Sequence, residues 1–226
     1  PDNCDIDDDN DGIPDVIEDA ACDVFSEDFG FGSYPGAALS PGTTSYTYYS
    51  DPPMGTFPNG LQDGEYTIAT STNEANGDWP DIKDHTSEDG TGYMLVVNAD
   101  EVTVGEFYSV TVAVDANTDY DFSTWITNAN DASNEANCRS LAAGTFVLPD
   151  VLFEVRDSGT NALISDLDTG IIPISTLERT WVNYSLPFNT GSSTSITLRL
   201  SNNGSGGCGN DLAIDDIRLT KSSGTL

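Results

Sequence analysis

Five stretches of this chain carry apolar residues at every second position: Tyr108-Val110-Val112-Val114, Tyr120-Phe122-Ile126 with Thr124 between, Val151-Phe153-Val155, Val182-Tyr184-Leu186 and Ile196-Leu198-Leu200. Period two is the spacing of a strand that buries one face. The runs are separated by Gly, Asn, Asp, Pro and Thr, and no stretch of comparable length holds a 3.6-residue apolar period. Many strands, turn-rich connections and no helices predict an all-β fold, a β-sandwich of the jelly-roll type. Segments 30–62 and 127–148 are longer than a minimal sandwich needs, so they are expected to shape a surface.

The chain has 226 residues, with 7 Lys+Arg against 38 Asp+Glu, a formal charge of 7 − 38 = −31. Such a polyanion repels phosphate backbones and anionic lipid, which excludes nucleic acid as a partner. At 37% apolar and 9% aromatic residues it can bury a real core, unlike a disordered acidic tail. The longest apolar run, Tyr93 to Val97, is far short of the ~20 residues of a bilayer span, so no membrane insertion is expected. No signal peptide precedes Pro1, and the chain is expected to be cut from a longer, processed protein. It is expected to act as a monomer beside neighbouring domains of that chain.

The acids are unevenly spread. Asp7-x-Asp9-x-Asp11-Gly12-Ile13-x-Asp15-x-x-Glu18 satisfies a calcium-loop pattern. Alternate carboxylates wrap a hard cation, Gly12 permits the sharp turn, Ile13 offers its carbonyl, and Glu18 closes the shell bidentately. Ca2+ is therefore the expected cofactor. An entering helix is not expected, because the six residues before Asp7 include a proline and a cysteine. The block PDNCDIDDDNDGIPD resembles instead a thrombospondin type-3 repeat, a resemblance that implies Asp5 as a further ligand and a calcium-stiffened spacer. Residues 1–22 are thus expected to form a linker module, and residues 23–226 the sandwich.

Cys4 and Cys22 flank the acidic cluster, while Cys138 and Cys208 lie in Asn/Ser/Gly-rich loops. Four thiols without a CxxC, beside a single histidine, supply a zinc site poorly and read as two disulfides in an oxidising, extracytoplasmic setting. Pairing does not follow from spacing. Cys4–Cys22 with Cys138–Cys208 respects the module boundary.

Three further segments, FSEDFGFGS (Phe25 to Ser33), DHTSEDGTGYMLVV (Asp84 to Val97) and LAIDDIRL (Leu212 to Leu219), resemble signature segments of MAM domains and related jelly-roll modules of bacterial surface proteins. The cysteine placement and the 127–148 segment depart from MAM domains, so adhesion by homodimerisation is not carried over. The resemblance implies a structural cation where the first and last strands meet, held by Glu27, Asp28 and Asp216 or Asp215, with Asp84 as a weaker contributor. Consecutive strand residues face opposite ways, so one of Asp215 and Asp216 is expected to point inward. A second calcium, or hydrogen bonds from loop amides, would satisfy it.

Enzyme signatures are thin. A nucleophile–histidine arrangement has only His85 to draw on, and no phosphate-cradling Gly-rich loop occurs. The abundant carboxylates leave a glycosidase pair open, but no ordered acidic run marks one. Binding is better motivated. Strand parity sets Trp125 opposite the apolar face of its own strand, and likewise Arg156, Trp181 and Arg199. Were these strands in one sheet, its outer face would stack and hydrogen-bond a sugar, resembling the platform of jelly-roll carbohydrate-binding modules. A second aromatic set, Trp79 with Tyr46, Tyr48 and Tyr49, could line a loop-borne site. The expected function is non-catalytic recognition of a neutral or weakly charged polysaccharide by a secreted or surface-displayed module. The alternative is a structural or adhesive spacer without glycan specificity.

Overall fold

A computed structural model describes residues 22–50, 60–87, 91–100, 105–141, 145–174, 176, 181–205 and 207–222. In chain order the elements are β1 (Cys22–Glu27), β2 (Thr47–Tyr48), β3 (Glu65–Ala69), α1 (Thr72–Ala75), β4 (Met94–Asn98), β5 (Glu106–Ala113), β6 (Asp119–Asn128) and α2 (Ala132–Ser140). They continue as β7 (Phe146–Val147), β8 (Asp150–Asp157), β9 (Leu163–Ile171), β10 (Val182–Asn189), β11 (Ser195–Asn202), β12 (Cys208–Gly209) and β13 (Asp211–Lys221). The linker residues Asp5, Asp7, Asp9, Asp11, Ile13, Asp15 and Glu18 lie outside the described residues, as do Cys4 and with it the expected Cys4–Cys22 bridge.

One sheet runs β10-β6-β13-β4-β3-β2, and the facing sheet runs β5-β11-β8-β9. The chain changes sheet at β4 to β5, β5 to β6, β6 to β8, β9 to β10, β10 to β11 and β11 to β13; β8 and β9 form a hairpin within one sheet. β1 also pairs with β13, so a seven-stranded sheet faces a four-stranded one, and two layers wound this way are a jelly-roll sandwich. The five alternating runs seen in the sequence are β5, β6, β8, β10 and β11. Their inward residues, among them Phe122, Phe153, Leu186 and Leu198, form one core between the sheets. Phe122 and Phe153 touch across it with centroids 5.2 Å apart.

β4 breaks the alternation because both its faces are covered. Leu95 and Val97 point into the main core, whereas Met94 and Val96 meet Trp79, Leu61, Ala75 and Ala213 in a second cluster under segment 60–83. A strand buried on both faces reads as a continuous apolar run.

The expectation of no helices is corrected by α1, a single turn, and by α2 within segment 127–148. Asp131 caps α2 by accepting from Ser133 N and Asn134 N, and Asn134 Oδ1 in turn accepts from Asp131 N. The helix buries only Asn134 and Cys138, so it leaves no apolar period to read. Cys138 is bonded to Cys208, which ties α2 to β12.

Candidate functional site

The last strand resolves the Asp215–Asp216 problem with a β-bulge. The register between β13 and β6 shifts between Asp215 and Arg218, and Asp216 takes a left-handed φ of 49°. One extra residue lets both carboxylates leave the same face, while Ile214 and Ile217 stay in the core. Neither aspartate points between the sheets, which corrects the parity argument. Asp215 Oδ2 accepts His85 N at 2.8 Å and Thr86 N at 3.3 Å, and its Oδ1 accepts Asp216 N at 2.8 Å. Burial, with the Asp216 charge beside it, pushes the Asp215 carboxyl up to about 7 against these amide donors.

Asp216 Oδ2 meets His85 Nδ1 at 2.6 Å, and its Oδ1 accepts Thr86 Oγ1 at 3.1 Å and faces Arg218 Nη2 at 3.4 Å. Glu27, Asp28 and Asp216 do line one cavity of about 90 Å³, together with Asp23, Thr86 and Arg218. Yet His85 and Arg218 already answer the Asp216 charge, and Asp84 spends its oxygens on Ser87 N and Oγ. Among the described residues no three His, Cys, Asp or Glu side chains converge as a ligand group. Of the carboxylates expected to hold a cation in the sandwich, Glu27, Asp28 and Asp216 thus share one cavity, whereas Asp215 and Asp84 turn to backbone amides.

The expected aromatic–arginine platform is also corrected. Trp125 lies on β6 and Trp181 just before β10, in one sheet; Arg156 on β8 and Arg199 on β11 lie in the other. Parity was read correctly strand by strand, but parity says nothing about which strands share a layer. Arg156 pairs with Glu154, and Arg199 with Glu106 and, at 3.8 Å, Glu154. Trp125 is covered by the His85 ring at 3.9 Å and 18° from parallel, and Trp181 donates its Nε1–H to Lys83 O at 3.0 Å. The His85 ring bonds no hydroxyl or thiol nucleophile among the described residues.

Trp79 and Tyr46 are buried, and the Tyr48 hydroxyl donates to Gly36 O. Tyr48 joins Tyr66 and Tyr93 in pinning segment 33–40. Tyr93 Oη donates to Ser33 O at 2.7 Å, Leu39 N donates to Tyr66 Oη at 3.0 Å, and Gly36 N donates to Ile68 O at 2.8 Å. Gly36 is required there, because a Cβ would stand 2.4 Å from Ile68 Cγ2.

Opposite this pinned segment, the end of β1 turns sharply. Glu27 accepts Phe29 N at 2.8 Å and Asp28 accepts Gly30 N at 2.9 Å, holding Phe29 and Gly30 at left-handed φ of 58° and 79°. The turn delivers Phe31 to the surface with 84% of its area exposed, while Phe29 packs edge-on against Tyr108. Between turn and segment lies an open groove of about 470 Å³. Phe29, Phe31 and Tyr93 give it aromatic surface, Ala37 to Ser40 form the wall, Ile68 lies beneath, and Glu27 is the only acid among its described residues. No described Lys, Arg or His lines it.

Sequence reasoning missed this groove. Its one local signal is Phe31 set between two glycines, in a segment without strand period.

No family model matches the chain, and no curated protein matches it. Solved structures of similar fold exist. An apo-form cyclase from Fischerella sp. aligns at 14% identity over 87% of each chain, with a TM-score of 0.51. The CBM22-1 xylan-binding domain of Paenibacillus barcinonensis Xyn10C aligns at 10% identity over 91% of this chain and 98% of its own, with a TM-score of 0.45. TmCBM61 in complex with beta-1,4-galactotriose aligns at 17% identity over 70% and 82%, with a TM-score of 0.42.

Proposed function

We propose that residues 23–226 form a non-catalytic carbohydrate-recognition module that binds polysaccharide in the Phe31–Tyr93 groove, targeting a neighbouring enzyme or attaching a surface. The observation that carries this reading is the groove itself. A large aromatic ring stands free in solvent opposite a wall fixed by four hydrogen bonds from Tyr48, Tyr93, Gly36 and Leu39. Flat rings take up the apolar face of a pyranose, and a fixed wall spares the ordering cost of binding. The volume lies within the roughly 300–1,000 Å³ of small-ligand sites.

Residues 1–22 are read as a separate calcium-binding linker, with Asp5, Asp7, Asp9, Asp11, Ile13, Asp15 and Glu18 as ligands. The Cys138–Cys208 bridge supports an oxidising, extracytoplasmic location. No helix among the described residues is long and apolar enough to cross a membrane.

A glycan array tests the reading. The native chain is expected to retain at least one polysaccharide, and Phe31→Ala to weaken that binding roughly tenfold, the worth of about one aromatic ring contact. An empty array contradicts the reading and favours a spacer.

A further inference from the structure

We infer that the preferred ligand of the groove is a glycan bearing free ammonium groups, of the 2-amino-2-deoxyhexose class. This rests on the proposal that the groove binds a glycan at all.

Charge selects the class. Among the described residues that line the groove, Glu27 is the only acid and none is basic. The rest of the described surface offers no free cation either. Lys83 pairs with Asp81, Arg139 with Glu135, Arg156 with Glu154, Arg199 with Glu106, Arg218 with Asp23 and Asp216, and Lys221 with Asp115. A uronic or sulfated glycan would bring its charge to a carboxylate inside the field of a chain of net charge −31. A neutral glycan gains ring stacking and hydroxyl hydrogen bonds, but no charge attraction. An amino sugar gains three things at one place: stacking, attraction of its ammonium group to the Phe31 and Tyr93 ring faces, and a carboxylate partner in Glu27.

Geometry makes the carboxylate usable. Phe29 N and the Tyr108 hydroxyl both bond the Glu27 carboxylate, and since a carboxylate accepts about four such bonds it keeps acceptor positions for a ligand. Glu27 stands two residues from Phe29 and four from Phe31, at the root of the turn that carries both rings.

Calorimetric titration at mildly acidic pH and physiological ionic strength decides the matter. The probes are a glucosamine hexamer, an N-acetylglucosamine hexamer and cellohexaose. The glucosamine hexamer is expected to bind at least roughly tenfold tighter than the acetylated one. Glu27→Gln, which keeps an oxygen for Phe29 N, should remove most of that preference. Phe31→Ala alters an exposed ring and so leaves the fold unchanged, and it should weaken the glucosamine hexamer roughly tenfold. Acetylated or cello-oligomer binding as tight as that of the amine form overturns the inference and leaves the glycan reading standing. Glucosamine binding untouched by Phe31→Ala also overturns it, because attraction to the polyanion as a whole then accounts for the affinity. Failure of all three probes together with an empty array removes both.

Discussion

The imidazole of His85 lies flat on the indole of Trp125, ring centroids 3.9 Å apart, while its Nδ1 reaches Asp216 at 2.6 Å. One side chain thus shields the tryptophan that strand parity turns outward and answers a buried carboxylate. His85→Ala should shift the tryptophan emission to the red and lower stability by about 2 kcal/mol, the usual worth of a hydrogen bond to a charged group. A urea melt followed by fluorescence checks both. Unchanged emission and midpoint would refute the shielding role.

Asp211 should make stability fall as pH rises. Its Oδ2 accepts Asn130 Nδ2 at 3.0 Å, but its buried Oδ1 has no partner. Burial pushes the carboxyl up to about 8, opposed by the Asn130 amide and reinforced by Asp63. In the unfolded chain the same group titrates near about 3.9. Between these values the folded state holds the extra proton, so the contribution is complete below the unfolded pKa and is lost as pH climbs through the folded one. Asp211→Asn reproduces the protonated form. It should outlast the native chain by roughly 1–3 kcal/mol above pH 8, the cost of a buried unsatisfied group, with the gap closing toward pH 4. Thermal midpoints across this range provide the check; a constant gap would mean that Asp211 does not titrate there.

The Cys138–Cys208 bridge spans a sequence separation of 70. On a chain-entropy account, closing a loop of that size contributes about 4 kcal/mol. Replacing both cysteines by serine should lower the thermal midpoint clearly and loosen α2, whose only other buried side chain is Asn134. Hydrogen exchange should show that loosening in residues 132–140 first. Equal protection there in both proteins would make the bridge dispensable.

Calcium should order the N-terminal linker. Asp5, Asp7, Asp9, Asp11, Asp15 and Glu18 repel one another without a cation, so chelation should release residues 1–22 and expose them to protease. Calorimetry of a chelator-stripped sample should show uptake of calcium. Asp9→Asn together with Glu18→Gln should abolish it. The wild-type loop failing to take up calcium would end the linker reading.

Much of the fold was legible because β5, β6, β8, β10 and β11 each bury one face, and a single buried face writes itself as period two. β4 escaped that rule because Trp79 and segment 60–83 cover its second face. α2 escaped because a capping box and a disulfide hold it rather than an apolar stripe. The site was less legible. Trp125 and Arg199 have the same parity on different layers, and only pairing order separates them. The groove joins Glu27 to Phe31, Ala37 to Ser40, Ile68 and Tyr93, segments that share no local pattern. The Asp215–Asp216 pair was recognised as anomalous, but the bulge that reconciles it depends on a left-handed φ at a non-glycine residue, which the sequence does not announce.

The most direct measurement of the central claim is an amide-resonance titration with whichever glycan the array retains. The account predicts that the largest shifts fall on residues 27–31, 37–40 and 93, with the outer face of β5, β8 and β11 unmoved. Shifts centred on Thr111, Glu154, Thr197 and Arg199, with Phe31 and Tyr93 silent, would place the ligand on the opposite sheet and contradict it.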